Sequence, residues 1–334
     1  MGTIYITSED AFIGKIDERL QVKANKQKLL DVPLIKVEGL VVLGRATISP
    51  AALAEILERK IPLSFLTQTG KYLGKFESEM SKNIFVRQAQ WKAMGESEKA
   101  IHVVRGFVRG KLKNYRMMLY RSQRKHPELQ LADAIARLGN AITPIEQTNN
   151  INSLRGLEGA GSAAYFGAFN QLIRTEGFSF ATRNRRPPTD PINALLSFGY
   201  SLLRHDVQSA VNIVGFDPYL GYLHCQHYGR PGLALDVMEE FRPLVVDAVV
   251  LSAINLRKLT PADFTSETLS NAVLLSPDGR REFLKLYEQK KQSEFKHPVL
   301  GRSCTYQEAF EIQARFLAKY LMGEIEKYPP LVLK

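Results

Sequence analysis

At 334 residues the chain is long enough for two domains with sizeable cores. A hydrophobic content of 45% excludes a disordered chain, and no run approaches the ~20 consecutive apolar residues of a membrane span. The formal charge of +11, from 45 Lys plus Arg against 34 Asp plus Glu, points toward nucleic acid or another anionic surface.

The first part reads as β-rich. Short runs at Thr3–Ile6, Ala11–Ile16, Leu20–Ala24, Ile35–Val37 and Leu40–Leu43 are separated by polar turns. Ser49 then offers an N-cap and Pro50 a first helical residue, so a helix is expected over Pro50–Arg59. Strand candidates Leu63–Thr67 and Tyr72–Phe76, separated by Gly70, complete a small β domain over residues 1–77. Residues 78–90 read as a linker, and 91–334 as a larger, mainly α-helical domain, which makes the fold class α+β.

From Ser81 onward apolar residues recur at helical spacing. The expected helices are Lys82–Lys92, Ser97–Arg124, Gln130–Asn140, Pro144–Phe169 with a break near Gly156, Pro191–Val214, Leu233–Leu256 and Tyr306–Lys327. Within the second of these, Arg105, Arg109, Lys113, Arg116 and Arg124 fall on one stripe with Tyr120, flanked by Lys111 and Tyr115. Such a stripe suits a phosphate backbone, or is a solvated face. Asn170–Pro191 is a basic, loop-rich stretch with Arg183, Arg185 and Arg186, which reads as a lid over DNA or as a connector.

Two segments carry candidate chemistry. Gly221–Pro243 reads GYLHCQHYGRPGLALDVMEEFRP and sets His224 a short Gly/Pro loop away from Asp236, Glu239 and Glu240. Carboxylates facing an imidazole suit a divalent ion, with the imidazole shifting preference from magnesium toward manganese; the alternative is a packed histidine beside a solvated acidic face. Asn152–Phe169 reads NSLRGLEGAGSAAYFGAF and places Glu158 among small residues, as expected of a segment buried against others. A carboxylate there needs a partner or a metal, unless it serves the first turn of its helix, where Ser153 or Asn152 is the alternative cap. Helical spacing puts Asp236 on a face with either Glu239 or Glu240 and does not separate the two. Cys225 lies between His224 and His227, but with only Cys304 besides it a closed structural zinc site is not expected. The opening MGTIYITSED has no basic n-region, so no secretory signal is expected, and Ile6 stands where a myristoylation motif wants Ser or Thr.

These segments, with TRNRRPPTDPINALLSFGYSL over residues 182–202, resemble the CRISPR-associated integrase and endonuclease family, the larger subunit of the spacer-acquisition machinery. The resemblance runs in order along nearly the whole chain. It implies a catalytic metal, Mg2+ or Mn2+, held by Glu158, His224 and Glu239, with Asp236 as an accessory acid beside the site. It further implies a β domain that forms a homodimer and a helical domain that is the metal-dependent catalytic unit. The implied partners are double-stranded and branched DNA, CRISPR repeat DNA and a small ferredoxin-like second adaptation subunit. A prokaryotic cytoplasmic location without a membrane partner goes with them. Strands Leu40–Leu43 and Leu63–Leu66 are apolar enough to need cover, which pairing across a two-fold axis would supply.

The residues themselves imply metal-assisted phosphoryl transfer. A DNA 3′-hydroxyl as nucleophile gives transesterification, which joins a spacer to a repeat; water gives hydrolysis. The alternatives are a repair nuclease on branched DNA that uses the same residues, and a non-catalytic DNA scaffold in which the acids are structural. Arg105, Arg109, Lys113, Arg116, Arg183, Arg185 and Arg186 are the candidate DNA contacts.

Overall fold

The structure, a computed structural model, describes residues 2–68, 70, 72–76, 81–224 and 227–333. The chain divides into two compact units, Met1–Met80 and Ser81–Lys334.

The first unit holds β1 (Thr3–Ile6), β2 (Ala11–Ile16), β3 (Arg19–Ala24), β4 (Gln27–Pro33), β5 (Gly39–Leu43), β6 (Ala46–Ile48), α1 (Pro50–Glu58), β7 (Leu63–Leu66) and β8 (Tyr72–Phe76). They form two four-stranded sheets, in the orders β1-β5-β7-β8 and β4-β3-β2-β6. In the first, β1, β5 and β7 run parallel and β8 returns antiparallel. In the second, β2, β3 and β4 form a meander with β6 parallel to β2. Ser49 caps α1 by accepting from the Ala52 N–H, and Pro50 opens the helix.

One core draws Ile6, Leu40, Val42 and Leu63 from the first sheet, Ile13, Leu20 and Val22 from the second, and Ala52 and Ile56 from α1. Leu40, Val42 and Leu63 are therefore covered inside their own unit and need no second copy, contrary to the cover argument from sequence. Ile35–Val37 is no strand: Leu34–Lys36 is a 3-10 turn with Ile35 85% exposed. The strand there is the preceding β4, whose half-exposed QKLLDVP hides the alternation that marks a buried strand.

The second unit is built on α2 (Ile84–Gly95), α3 (Ser97–Lys125), α4 (Ala132–Ile142), α5 (Ile151–Phe169), α6 (Pro191–Val214), α7 (Gly232–Met238), α8 (Ala248–Asn255), α9 (Pro277–Gln292) and α10 (Tyr306–Met322). Two small hairpins, β9 (Phe264–Ser266) with β10 (Val273–Leu275) and β11 (Glu294–Lys296) with β12 (Ser303–Thr305), complete it. The segment read as linker, 78–90, is helical from Ile84 onward. Asn83 caps it, and Val86 and Gln90 are buried, with Gln90 donating to the carbonyls of Asp217 and Leu220 at 2.9 Å each.

Helix α3 packs on α4 and α5, and α6 packs on α7 and α10. The run expected as one helix, Leu233–Leu256, is three pieces: α7, a π-helical segment over Arg242–Asp247, and α8. Pro243 has no N–H to give and stands at the start of the π segment, so the α ladder cannot pass through it. Among the described residues no helix is long and apolar enough to cross a membrane.

Candidate metal centre

Helix α5 is capped by Asn150, whose side chain accepts from the N–H groups of Asn152 and Ser153. Glu158 thus stands beyond the first turn and is not a cap. The helix runs unbroken through Gly156, and only one face of it is packed: Leu154, Gly161, Ala164, Tyr165 and Ala168 are buried while Gly156, Gly159 and Ala160 are exposed. The expectation that the whole small-residue segment is buried does not hold. Gly161 alone needs its size there, since a Cβ would lie 2.4 Å from Leu112 Cδ2. That close approach brings α5 against α3 beside Lys111. On the other side of Lys111, a Cβ on Gly110 would lie 2.8 Å from Glu240 Cγ, so α3 is also drawn against the turn that follows α7.

The GYLH turn is tied to both helices. Arg155 on α5 donates to the Leu223 carbonyl at 2.5 Å. Asp236 on α7, fully buried, accepts the N–H groups of Tyr222, Leu223 and His224 at 2.6, 2.9 and 3.0 Å. Its Oδ1 also lies 2.6 Å from His224 Nδ1. That contact makes Nδ1 the donor to the carboxylate and turns Nε2 toward the site. Nε2 lies 3.7 Å from Glu239 Oε1. Asp236 therefore orients the imidazole from behind, as carboxylates do for metal-binding histidines.

Glu239 is 3% exposed and lies between cations. Its Oε2 accepts no well-aligned hydrogen bond but faces Lys111 Nζ at 2.6 Å, and Oε1 lies 3.0 Å from Arg242 Nε. The same Lys111 ammonium contacts Glu158, which also accepts from Ser162 Oγ at 2.8 Å. Burial pushes the Glu239 carboxyl up, but Arg242, Lys111 and His224 outweigh it and hold the group at about 2. Arg242 stacks over the Tyr200 ring at 4.6 Å, and Tyr200 donates to Asp247 at 2.6 Å. Burial lifts the Asp247 carboxyl to about 6.

Glu240 turns the other way. It accepts from Tyr328 Oη, Gln313 Nε2 and the Leu331 N–H at 2.7, 2.8 and 2.7 Å, which clamps the C-terminal segment onto the helical unit. Burial pushes its carboxyl up to about 8. The ambiguity between the two acids that helical spacing leaves is a division of labour in the structure: Glu239 faces His224, and Glu240 faces the C-terminal segment.

Lys111 links Glu158 to Glu239, and Glu239 in turn faces His224. Among the described residues no three of His, Cys, Asp and Glu stand close enough to grip an ion unaided. The donor types nevertheless suit a divalent cation: a buried carboxylate paired only to cations, an imidazole whose Nε2 faces it, and a second carboxylate that already shares a cation with the first. Cys225 lies outside the described residues, and Cys304 is a buried free thiol.

Lys111 and Arg242 are the residues that the sequence reading missed at this site. Lys111 carries a usable signal: Val104, Val108, Lys111 and Tyr115 recur at steps of four, three and four, an apolar stripe interrupted by one cation. The basic residues divide. Arg105 donates to the Thr148 carbonyl at 3.1 Å and Arg109 to Glu146 at 2.5 Å, so both tie α3 to the 3-10 turn Thr143–Gln147 and its exit. Lys113 is exposed, and half-buried Arg116 stacks on Tyr120 at 5.2 Å. These two line a groove of about 620 Å³ with Tyr120, Arg121 and Arg124. Arg183 donates to Asn193 and Ser197 at 2.7 and 3.1 Å, and burial pulls its guanidinium down from the usual range. Arg185 and Arg186 are exposed. The 170–191 stretch is pinned at Asn193, which donates to the Thr182 carbonyl at 2.8 Å and accepts from the Asn184 N–H at 3.0 Å.

The family described as CRISPR associated protein Cas1 matches residues 4–289. A CRISPR-associated endonuclease Cas1 of Thermus thermophilus is 38% identical over 336 aligned positions, covering 100% of this chain and 98% of the relative. The solved Cas1 protein of Thermotoga maritima superposes with a TM-score of 0.81 at 26% identity, covering 98% of each chain. A chain of a Cas6-RT-Cas1–Cas2 complex aligns over 100% of this chain and 36% of its own length, with a TM-score of 0.81 at 25% identity.

Proposed function

The chain belongs to the Cas1 family of CRISPR-associated proteins, and from that premise we propose that it inserts new spacer DNA into a CRISPR array by metal-dependent phosphoryl transfer. The observation that carries this reading is the buried, ionised Glu239, set between His224 Nε2 and a cation shared with Glu158. Mg2+ or Mn2+ bound by Glu158, His224 and Glu239 would neutralise a scissile phosphate and acidify the attacking hydroxyl.

The protein's own residues do the rest. Asp236 keeps the His224 ring in one orientation, with Nε2 turned toward Glu239. Arg242 keeps Glu239 charged inside the protein, where an unpaired carboxylate would cost several kcal/mol. The open small-residue face of α5, at Gly156, Gly159 and Ala160, leaves room beside Glu158 for a DNA backbone. The groove along α3, with Lys113, Arg116 and Tyr120, supplies phosphate contacts and a ring for a base to stack on. Exposed Arg185 and Arg186 extend the basic surface.

The proposed assembly is a homodimer through the β-rich unit, joined to a small ferredoxin-like second subunit in the cytoplasm. The similarity to a chain of a Cas1–Cas2 complex supports the second partner. The exposed apolar side chains Ile35 and Leu73 support a surface on the β-rich unit that another chain covers. The test is strand transfer of a labelled duplex into a plasmid that carries a repeat. Native protein with Mn2+ should join the two, and Glu158→Ala should not. Joining by Glu158→Ala at the native rate would refute the assignment, and cleavage of branched DNA without joining would favour the repair nuclease.

A further inference from the structure

Lys111 is 5% exposed on the packed face of α3, a place where long cations are found only when paired. It is paired twice over. Its ammonium contacts Glu158 on α5 and lies 2.6 Å from Glu239 Oε2. Two carboxylates from separate helices therefore share one positive charge. The close approaches of Gly161 to Leu112 and of Gly110 to Glu240 hold α3 against α5 and against the turn after α7 at the positions next to Lys111. Arg242 meets Glu239 at the other oxygen and is held by its stacking on Tyr200.

Lys111 already occupies the position between Glu158 and Glu239, so a divalent ion drawn to the same two carboxylates competes with its ammonium, while Arg242 holds Glu239 from the other oxygen. Arg242 is enclosed and its planar guanidinium is stacked, whereas Lys111 is a compact charge on a flexible four-carbon stem.

We propose that Lys111 is the resident counter-ion of this site: in the metal-free protein its ammonium fills the cation position between Glu158 and Glu239, and a divalent ion binds by displacing it. The proposal rests on the metal reading of the site. It makes Lys111 a determinant of metal affinity that acts by competition. It also gives the metal-free enzyme a stable form in which the two carboxylates do not repel each other.

The test uses the full chain stripped with chelator. Mn2+ titration followed by electron paramagnetic resonance should give a dissociation constant on the order of tenfold lower for Lys111→Met than for the native protein, a difference of about 1.4 kcal/mol. Melting without metal should occur at a lower temperature in Lys111→Met, and the rise on adding Mn2+ should be larger. Equal or weaker Mn2+ binding by a folded Lys111→Met would overturn the proposal. Should that variant not fold, acylation of native Lys111 by an amine-reactive reagent, read by mass spectrometry, decides instead. Reactivity should rise several-fold with Mn2+, and unchanged reactivity overturns the displacement. A native protein that binds no Mn2+ refutes the metal reading itself, whereas Mn2+ binding that Lys111→Met leaves unaltered refutes only the role given to the lysine.

Discussion

Glu239 and Glu240 are adjacent and both buried, yet burial has opposite outcomes for them. Glu239 faces Arg242, Lys111 and His224 and is held ionised, at about 2. Glu240 faces a tyrosine hydroxyl, a side-chain amide and a backbone N–H, and burial carries it up to about 8. Desolvation acts on both; full charges nearby decide which way each goes. The first thereby stays a charged acceptor among cations, and the second becomes a clamp for the Tyr328–Leu331 segment.

The sharpest way to break this comparison is to neutralise each acid in turn. Glu239→Gln should lose strand transfer and cleavage by about 10³-fold or more, the scale of several kcal/mol of transition-state stabilisation. Glu240→Gln should stay within about tenfold of native activity. Equal losses in the two variants, measured in the same plasmid-joining assay, would erase the distinction.

A smaller effect is expected at Asp236, which touches the imidazole and would act on the proposed ion only through it. Asp236→Asn keeps the shape but no longer fixes the Nδ1 proton, and Mn2+ affinity should fall about 10–100-fold. Calorimetric titration measures this, and native affinity in the variant would remove Asp236 from the orienting role.

The pH dependence sharpens the comparison further. Glu240 has a folded value of about 8 against an ordinary 4.5, so the folded protein holds an extra proton between those limits. Its contribution is full below pH 4.5 and is lost as pH rises through 8, at up to about 1.4 kcal/mol per unit. Glu239 has the opposite sign: its contribution is present above pH 4.5 and is lost as pH falls through about 2. Melting curves from pH 5 to 8.5 should therefore show native protein losing stability relative to Glu240→Gln, and parallel curves would contradict the neutral state of Glu240.

The smallest effects lie on α3. Replacing Lys113 and Arg116 with Ala should weaken DNA binding and flatten its salt slope by about one unit per phosphate lost. Replacing Arg105 and Arg109 should leave the slope alone and cost about 0.2–1 kcal/mol of stability each, because their guanidinium groups are engaged within the protein. The reverse pattern would return DNA contact to the first pair.

What the sequence made legible follows from where its local signals are strong. Helix α6 was readable to both ends because Asp190 and Pro191 start it and Gly215 stops it in the left-handed region. The π segment was not, because Leu233–Leu256 is apolar on all sides and Pro243 looks like a tolerable residue in a helix. Helix α9, PDGRREFLKLYEQKKQ, has too few apolar residues to show a stripe, though Ser276 and Pro277 mark its start. At the candidate site, the GLEG and GYLH segments and the EEFRP acids do lie near one another in the fold. Of the partners that set their charge, Arg242 stands only three residues from Glu239, whereas Lys111 comes from a distant helix, and its interrupted apolar stripe marks it as buried without saying which acids it meets.

The most direct test of the central claim is diffraction from crystals soaked in Mn2+, with anomalous differences used to locate the ion. The account predicts a peak bounded by the Glu158 carboxylate, His224 Nε2 and the Glu239 carboxylate, with the Lys111 ammonium withdrawn from between the two acids. Bound Mn2+ located elsewhere, with Lys111 still bridging Glu158 and Glu239, would contradict it.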